Sequence, residues 1–204
     1  MKISLQGKVF IVLVLGLLMR VFFSCTPPPP IEINFNSILL EGIDNSGKFL
    51  QVYSNIDTMY SEAVAIKLTL FDSLYFPSTD YYAGALKSLG ITPASALSVY
   101  YTFKPLFRVE QIRITTLLDM APDVKAGDDI TDHFVFSTGN SFALYKTYNQ
   151  ALSTFNSEQP YPYAWVVLIL KKRVQAPNAQ FRVSVSLENG DILEANTNIY
   201  TIMP

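Results

Sequence analysis

Carboxylates that could bind a hard cation are concentrated in one stretch of the chain. Five aspartates lie within 14 residues around Gly127, and they are Asp119, Asp123, Asp128, Asp129 and Asp132. Clustered carboxylate oxygens are the ligands that Ca²⁺ prefers, but the spacing lacks the alternation of an EF-hand loop. Asp and Gly are also good turn residues, because Asp side chains accept hydrogen bonds from nearby backbone N–H groups. We therefore expect turn chemistry and no cofactor, with Asp128, Asp129 and Asp132 as weak candidates for a metal site.

Tyrosines near one another in the sequence form a second set of candidates. The rings of Tyr81, Tyr82, Tyr161 and Tyr163 fall in predicted loops, where they could stack on sugars or anchor a protein partner. The pair at 100–101 is a weaker candidate, because adjacent residues of a strand face opposite ways. Packing beneath a loop is the alternative role for all of these rings. The four loop tyrosines are thus weak candidates for binding an unknown protein or glycan.

The residue inventory argues against most familiar catalytic centres. His133 is the single histidine, so a multi-histidine zinc site cannot form. The sequence has no Gly-x-Ser-x-Gly elbow, phosphate-binding loop or dinucleotide motif. Paired carboxylates for glycoside cleavage remain open, since 17 acidic residues allow many pairs. We expect a non-catalytic protein, with an envelope hydrolase as the alternative.

The elements that would position these residues are mainly strands. Period-two alternation predicts strands at 64–70, 109–116 and 181–187, and the apolar run at 164–170 predicts a strand covered on both faces. Asn189-Gly190, with a returning strand at 192–197, predicts a tight hairpin. Weaker strand signals lie at 31–38, 49–53, 97–103 and 133–136, so that His133 would begin a strand.

Helical spacing interrupts the strands. Apolar residues three and four apart predict a helix over 142–156, and they are Phe142, Tyr145, Tyr148, Leu152 and Phe155. Asn140 or Ser141 would cap it, and Pro160 would prevent its continuation. A weaker signal suggests a second helix over 81–89. The pattern predicts a mainly β protein, a two-sheet immunoglobulin-like β-sandwich with one or two short helices, as a single domain over 31–204.

The N-terminal segment indicates where the protein is sent. Lys2 and Lys8 accompany an apolar run that reaches residue 19, and the segment closes on Ser24-Cys25. This is the pattern of a secretory signal peptide, whereas a membrane span takes about 20 apolar residues. Cys25 is the only cysteine, and four prolines follow at 27–30. The arrangement resembles a bacterial lipoprotein signal, which implies a signal peptide at 1–24, a lipidated Cys25 and a proline-rich spacer at 25–30.

Charge narrows the choice of partners. Removing residues 1–24 takes away three of the 15 basic residues and none of the 17 acidic ones, which leaves a side-chain net charge of about −5. A chain of this charge without a broad basic face is not expected to bind nucleic acid. Lys171-Lys172-Arg173 is the only dense basic run, and we interpret it as a solvated strand end rather than an anion site.

Several motifs, taken in order, are similar to those of an uncharacterised group of Bacteroidota lipoproteins. The matching segments are DNSGK at 44–48, VEQIRI at 109–114, AGDDITD at 126–132, YPY at 161–163, FRVSV at 181–185 and the segment 187–193. The resemblance implies an envelope lipoprotein domain of unknown function, of sandwich type, and assigns no active-site residues. We predict a lipid-anchored cell-envelope protein, in the outer membrane, that acts as a binding or assembly module.

Two alternatives stay open beside that prediction. One is a carbohydrate-active accessory or hydrolase of the envelope, which would use the acidic stretch and the loop tyrosines. The other is a structural subunit of a surface appendage, which would need a displaceable edge strand, expected at 199–203.

Overall fold

The computed structural model describes residues 29–44, 51–52, 57–74, 101–138 and 145–204. These residues form strands, one 3-10 turn at Thr131–His133 and one α-helix, α1, at Tyr148–Asn156. The strands in chain order are β1 (Ile31–Ile33), β2 (Ser37–Asp44), β3 (Gln51–Val52), β4 (Thr58–Tyr60), β5 (Val64–Phe71), β6 (Phe103–Pro105), β7 (Val109–Thr116), β8 (Phe134–Ser137), β9 (Tyr145–Lys146), β10 (Tyr163–Leu170), β11 (Asn178–Ala179), β12 (Phe181–Leu187), β13 (Ile192–Asn196) and β14 (Tyr200–Met203).

The larger layer is a sheet of six strands in the order β3-β2-β5-β10-β8-β9. Strand β10 pairs antiparallel with both β5 and β8, so it lies inside the sheet. Its side chains alternate between two apolar clusters, with Val166 and Leu168 in the main core and Val167 and Ile169 on the outer face of the sheet. The prediction of a strand covered on both faces is confirmed over residues 166–170, whereas Tyr163 and Trp165 nearer the start of β10 are half-buried.

The smaller layer is a three-stranded sheet in the order β13-β12-β7, and it packs on the inner face of the larger sheet. The rings of Phe134 on β8 and Phe181 on β12 meet edge to face with centroids 5.8 Å apart, which joins the two layers. Two small sheets, β1-β6 and β11-β14-β4, complete the described part of the fold. The predicted mainly β sandwich with one or two short helices is confirmed at the level of architecture.

A glycine sets how closely β2 approaches the small sheet β11-β14-β4. A Cβ atom at Gly42 would lie 2.8 Å from Met59 Cε and 3.2 Å from the ring of Tyr200. Both side chains are buried, with 3% and 2% of their surface exposed. The absence of a side chain at Gly42 therefore allows the two sheets to pack together.

The hairpin at 181–197 is confirmed, but its turn differs from the expected two-residue type. Leu187 N donates to Asp191 O at 2.9 Å, which closes a three-residue loop. Gly190 alone has a positive φ, +88°, whereas Asn189 does not. The Asn189 side chain instead accepts from Asp191 N at 3.1 Å. Such a loop, with a left-handed glycine at its end, is the second common way to connect hairpin strands.

The helix starts later than predicted. Tyr145 belongs to β9, and Thr147, rather than Asn140 or Ser141, caps α1 at Tyr148. The reason is a capping box: Gln150 N donates to Thr147 Oγ1 at 3.3 Å, and Thr147 N donates to Gln150 Oε1 at 2.9 Å. Phe155 is buried as expected.

Three weaker strand predictions also needed correction. The segment 31–38 is divided between β1 and β2, because residues 34–36 leave the strand conformation where the Asn34 backbone N–H turns to Asp72 Oδ2. His133 ends the 3-10 turn instead of beginning a strand, since its N–H donates back to Ile130 O. Tyr101 and Thr102 are not in a strand, and β6 begins only at Phe103.

The segment predicted at 199–203 forms a strand at Tyr200–Met203, but this strand is not a free edge of its sheet. Strand β14 lies between β11, with which it pairs antiparallel, and β4, with which it pairs parallel. The expectation of a displaceable edge strand at this position is therefore wrong. Within the described ranges, no helix is long and apolar enough to cross a membrane. Cys25, the signal segment 1–24, Tyr81, Tyr82 and the suggested helix at 81–89 lie outside the described residues.

Candidate functional site

The aspartates of the acidic stretch have local partners. Asp119 accepts from Ala126 N at 2.9 Å and pairs with Lys125 Nζ at 3.1 Å. The Ala126 N–H and the Lys125 ammonium lower the pKa of Asp119. Asp128 accepts from Lys125 N at 2.7 Å, which closes the turn in which Gly127 has a φ of +95°. Asp123 pairs with Lys172 Nζ, which lowers the pKa of Asp123.

Asp129 joins the acidic stretch to β7. It accepts from Thr131 N at 3.0 Å and from Thr131 Oγ1 at 2.7 Å, and it pairs with Arg113 Nε at 2.8 Å. Partial burial acts to raise the pKa of Asp129, but these hydrogen bonds and the Arg113 charge outweigh it and lower the pKa. Asp132 is exposed in the 3-10 turn. Within the described part of the chain, no three His, Cys, Asp or Glu side chains are grouped so as to hold a metal ion.

The acidic stretch and α1 together cover the outer edge of β7. Ile114 N donates to Thr131 Oγ1 at 2.9 Å, and Ile130 N donates to Ile114 O at 2.9 Å. Thr116 N donates to Asp128 O at 3.1 Å, and Gly127 N donates to Thr116 O at 2.7 Å. Loop residues thus take the place of a neighbouring strand along the second half of β7.

Two side chains of α1 cover the first half of the same edge. Tyr148 Oη accepts from Ile112 N at 2.7 Å and donates to Ile112 O at 3.0 Å. The Asn156 amide accepts from Val109 N at 2.7 Å and donates to Val109 O at 2.9 Å. An edge strand with unpaired backbone groups is a template for pairing with another chain. The helix and the acidic stretch therefore seal β7, which assigns them a structural role.

The single histidine and the basic run lie near each other. His133 O accepts from Lys171 N at 2.8 Å, directly after β10 ends at Leu170. Lys172 pairs with Asp123, and Arg173 pairs with Glu62 at 3.4 Å. This geometry agrees with a solvated strand end.

The exposed aromatic residues at the start of β10 form the clearest candidate binding surface. Tyr161 and Tyr163 are stacked, with centroids 5.3 Å apart and planes 11° apart. Tyr161 is 56% exposed, while Tyr163 and Trp165 are half-buried. Tyr163 and Trp165 share the outer face of the larger sheet, because residues two apart in a strand point the same way. We call Tyr161, Tyr163 and Trp165 the aromatic strip.

An ion pair borders the aromatic strip. Lys67 Nζ lies 2.8 Å from Glu41 Oε2 and 5.9 Å from the centroid of the Trp165 ring. The side chains of Lys67 and Glu41 are 24% and 21% exposed. The strand pairing brings these side chains together, because Lys67 lies opposite Glu41 on β2 and opposite Val167 on β10. The site therefore places a donor and an acceptor beside aromatic rings.

Buried residues next to the aromatic strip limit how much of the outer face is open to a partner. Thr69 pairs with Leu39 on one side and Trp165 on the other. Its Oγ1 atom is buried and has no hydrogen-bond partner among the residues that the structure describes. From the level of Lys67 onward, β10 contributes only buried residues to the same face, with Val167 and Ile169 1% and 5% exposed.

Burial raises the pKa of Tyr163, and the neighbouring Tyr161 adds to the effect.

Two open grooves lie elsewhere on the described surface. One, of about 490 Å³, borders Arg173 and the C-terminal residues Ile202 and Pro204. The other, of about 450 Å³, lies beside α1 and includes Glu110 and Glu188. The Glu188 carboxylate accepts from Arg108 N at 3.3 Å. This second groove contains two carboxylates, the residue type that the hydrolase alternative would need.

The sequence interpretation found only part of the candidate site. It named Tyr161 and Tyr163, which the structure brings together, and Tyr81 and Tyr82, which lie outside the described residues. It assigned no binding role to Trp165 or Lys67. The available signal was alternation: Tyr163 and Trp165 stand two apart in a strand, which predicts a shared face.

Comparisons with known proteins add little to this description. The sequence matches no known protein family and no curated protein. Among solved structures, the chain is similar to a variant C-terminal domain of BspA, with 6% identity and a TM-score of 0.27, covering 82% of this chain and 46% of that one. It is also similar to the C-terminal domain of the Streptococcus pyogenes antigen I/II-family protein AspA, with 8% identity and a TM-score of 0.26, again covering 82% and 46%. The chain therefore spans about half the length of these structures, and at such scores no property of theirs transfers to it.

Proposed function

We propose that the protein is a lipid-anchored, non-catalytic recognition module of the cell envelope, and that the aromatic strip is its binding surface. The anchor is supported by the sequence, in which a basic and then apolar start leads to Cys25 and a proline tract. The prolines would act as a stiff spacer that holds the folded domain away from the outer membrane.

The observation that carries the recognition part is the stacked pair Tyr161 and Tyr163 beside Trp165. Aromatic residues dominate the binding energy of recognition surfaces because they bury a large area with few rotatable bonds. Tyr161, two residues before β10 begins, is 56% exposed, whereas alternate residues of β10 are buried in the core on the inner face of the larger sheet. A partner that covers this ring would gain the free energy of burying it.

The edges of the smaller sheet offer less to a partner. Strand β7 has its backbone groups paired with α1 and the acidic stretch. On β13, at the opposite edge, Glu194 stands in the middle of the strand and accepts from Ser184 Oγ at 2.6 Å. A charge in the middle of an edge strand disfavours pairing with another strand. Recognition through the outer face of the larger sheet is thus favoured over strand addition to the smaller sheet.

Two measurements test the proposal separately. For the anchor, the native chain and Cys25→Ala are compared by membrane fractionation, and we expect the variant to leave the membrane fraction. If it stays there in equal amount, lipidation at Cys25 is rejected.

For recognition, the full chain carrying Cys25→Ala is sedimented with washed envelopes from cells that lack the protein. Adding Tyr161→Ala should weaken binding by about tenfold, the effect of losing about 1.4 kcal/mol at a hot spot. Tyr60→Ala is the matched control, because Tyr60 is 48% exposed on a different sheet. Equal binding by all three chains would reject the aromatic strip as the binding surface.

A further inference from the structure

We infer that the aromatic strip and the Lys67–Glu41 pair form a carbohydrate-binding subsite. This inference rests on the proposed function and adds the chemical class of the ligand. It requires a ring face for stacking, polar groups that suit hydroxyls, and a surface of the right size, and the described residues supply all three.

The ring face is that of Tyr161. One face of this ring is covered by Tyr163, whose centroid lies 5.3 Å away in a nearly parallel plane. Tyr161 is still 56% exposed, so more than half of its surface remains accessible to a ligand. Tyr163, held in the first pair of β10 with Phe71, fixes the orientation of the stack. A sugar ring can pack its apolar C–H face on such a platform, as tyrosine and tryptophan combine apolar area with a polar atom.

The polar groups are the ammonium of Lys67 and the carboxylate of Glu41. Their atoms are 2.8 Å apart, and both side chains are about one-quarter exposed or less. Lysine carries three donors and ionised glutamate accepts only, so the pair presents a donor and an acceptor side by side. Neighbouring hydroxyls of a sugar, each able to donate and to accept, match this arrangement. Because the two charges cancel, the site suits a neutral sugar rather than an acidic or basic one.

The size of the surface favours a short oligosaccharide over a protein. Along β10 the distance from Tyr163 to Val167, which marks the level of Lys67, is about 13 Å at about 3.3 Å per residue. From that level onward β10 offers no open surface on this face, since Val167 and Ile169 are buried. A stable protein interface needs roughly 800 Å² on each partner, whereas a few sugar rings can be bound by a narrow strip.

The first test uses the envelope-sedimentation assay with treated envelopes. Periodate cleaves the vicinal diols of glycans, and protease removes exposed proteins. We expect periodate to abolish the binding that depends on Tyr161 and protease to leave it unchanged. Loss after protease with no loss after periodate would mean that the partner is a protein, which overturns this inference but keeps the proposed function. No effect of Tyr161→Ala on untreated envelopes would instead reject the proposed function itself.

The second test uses the only tryptophan of the chain as a reporter. Trp165 lies within the strip, so its emission, excited where tyrosine does not absorb, monitors the site directly. The probe is the polysaccharide fraction extracted from the same envelopes, titrated into the full-length Cys25→Ala protein. We expect a saturable change in emission, and a flat titration would overturn the carbohydrate assignment.

Substitutions test separately the contributions of the aromatic ring and of the ion pair to binding. Tyr161→Phe keeps the ring and should retain affinity within about twofold, whereas Tyr161→Ala should weaken it by about tenfold or more. Lys67→Met combined with Glu41→Gln removes the charges without leaving either one unpaired, and it should also weaken binding by about tenfold. If the double variant folds and binds as the native chain does, the polar half of the inference is wrong.

Discussion

The hydroxyl group of Tyr148 should contribute measurably to stability, because one oxygen atom satisfies two backbone groups. It accepts from Ile112 N at 2.7 Å and donates to Ile112 O at 3.0 Å, and Ile112 is only 1% exposed. The substitution Tyr148→Phe keeps the ring, which packs edge to face on Phe136 at 5.6 Å. It leaves a donor and an acceptor unpaired, and such a loss costs about 1–3 kcal/mol.

The measurement is urea denaturation at neutral pH. A loss of about 2 kcal/mol corresponds to a Tm lower by roughly 4–8 °C for a domain of this size. Burial raises the pKa of Tyr148, so its hydroxyl keeps the proton that it donates. Tyr60→Phe is the control, because Tyr60 is exposed on β4. A free energy of unfolding for Tyr148→Phe within about 0.5 kcal/mol of the native value would refute the account of the sealed edge.

Three further predictions follow from buried or charged groups. Thr69→Val should raise the free energy of unfolding by about 1 kcal/mol, because it replaces a buried hydroxyl without a described partner by a methyl group, and lower stability in urea denaturation would contradict this. Millimolar Ca²⁺ should shift the Tm by less than about 1 °C, since a ligand stabilises only a state that binds it, and the described aspartates such as Asp129 already hold local donors. Burial raises the pKa of Tyr200 from 10.0 to about 12, so between these values the unfolded chain loses a proton that the native state keeps. Stability should then fall with rising pH by up to about 1.4 kcal/mol per unit, and Tyr200→Phe should lack this contribution in denaturation at pH 9 to 12.

The bounds of a strand could be predicted from the sequence where a local pattern of apolar residues is enough to define the strand. Strand β7 has the bounds expected from alternation, and β10 and β12 agree within a residue. In β7 and β12 apolar side chains recur every second residue, whereas β10 is marked by a short continuous apolar run, and both signals are local to the strand. The weaker signals failed where tertiary contacts decide, as at residues 34–36, where Asp72 draws the backbone out of the strand.

The start of α1 shows a different limit. Tyr145 has the spacing of a helical residue, but it pairs with Ser137 on β8. The spacing of apolar residues alone does not show where a helix begins when a short strand ends just before it. The signal for the true start of the helix was nevertheless present, because Thr147 and Gln150 form a capping box that can be read from the sequence.

The candidate site was only partly predictable, because its members meet through register. Tyr161 and Tyr163 are close in sequence, so their proximity could be expected. Glu41 and Lys67 are 26 residues apart, and Lys67 reaches Trp165 on a third strand. A shift of one residue in either pairing would move these side chains to opposite faces. Sequence patterns give each strand its faces but not its register with strands elsewhere in the chain.

Whether the strands at the sheet edges have free backbone groups indicates how the protein can contact a partner. Strand β7 is sealed, β14 lies between two strands, and β13 carries a charge at its centre. Contact by shared backbone hydrogen bonds would tolerate most side-chain changes, whereas contact through a sheet face depends on individual side chains. These three strands therefore favour the second mode. Binding should therefore respond to truncation of single rings of the aromatic strip and not to substitutions such as Ile192→Thr along β13.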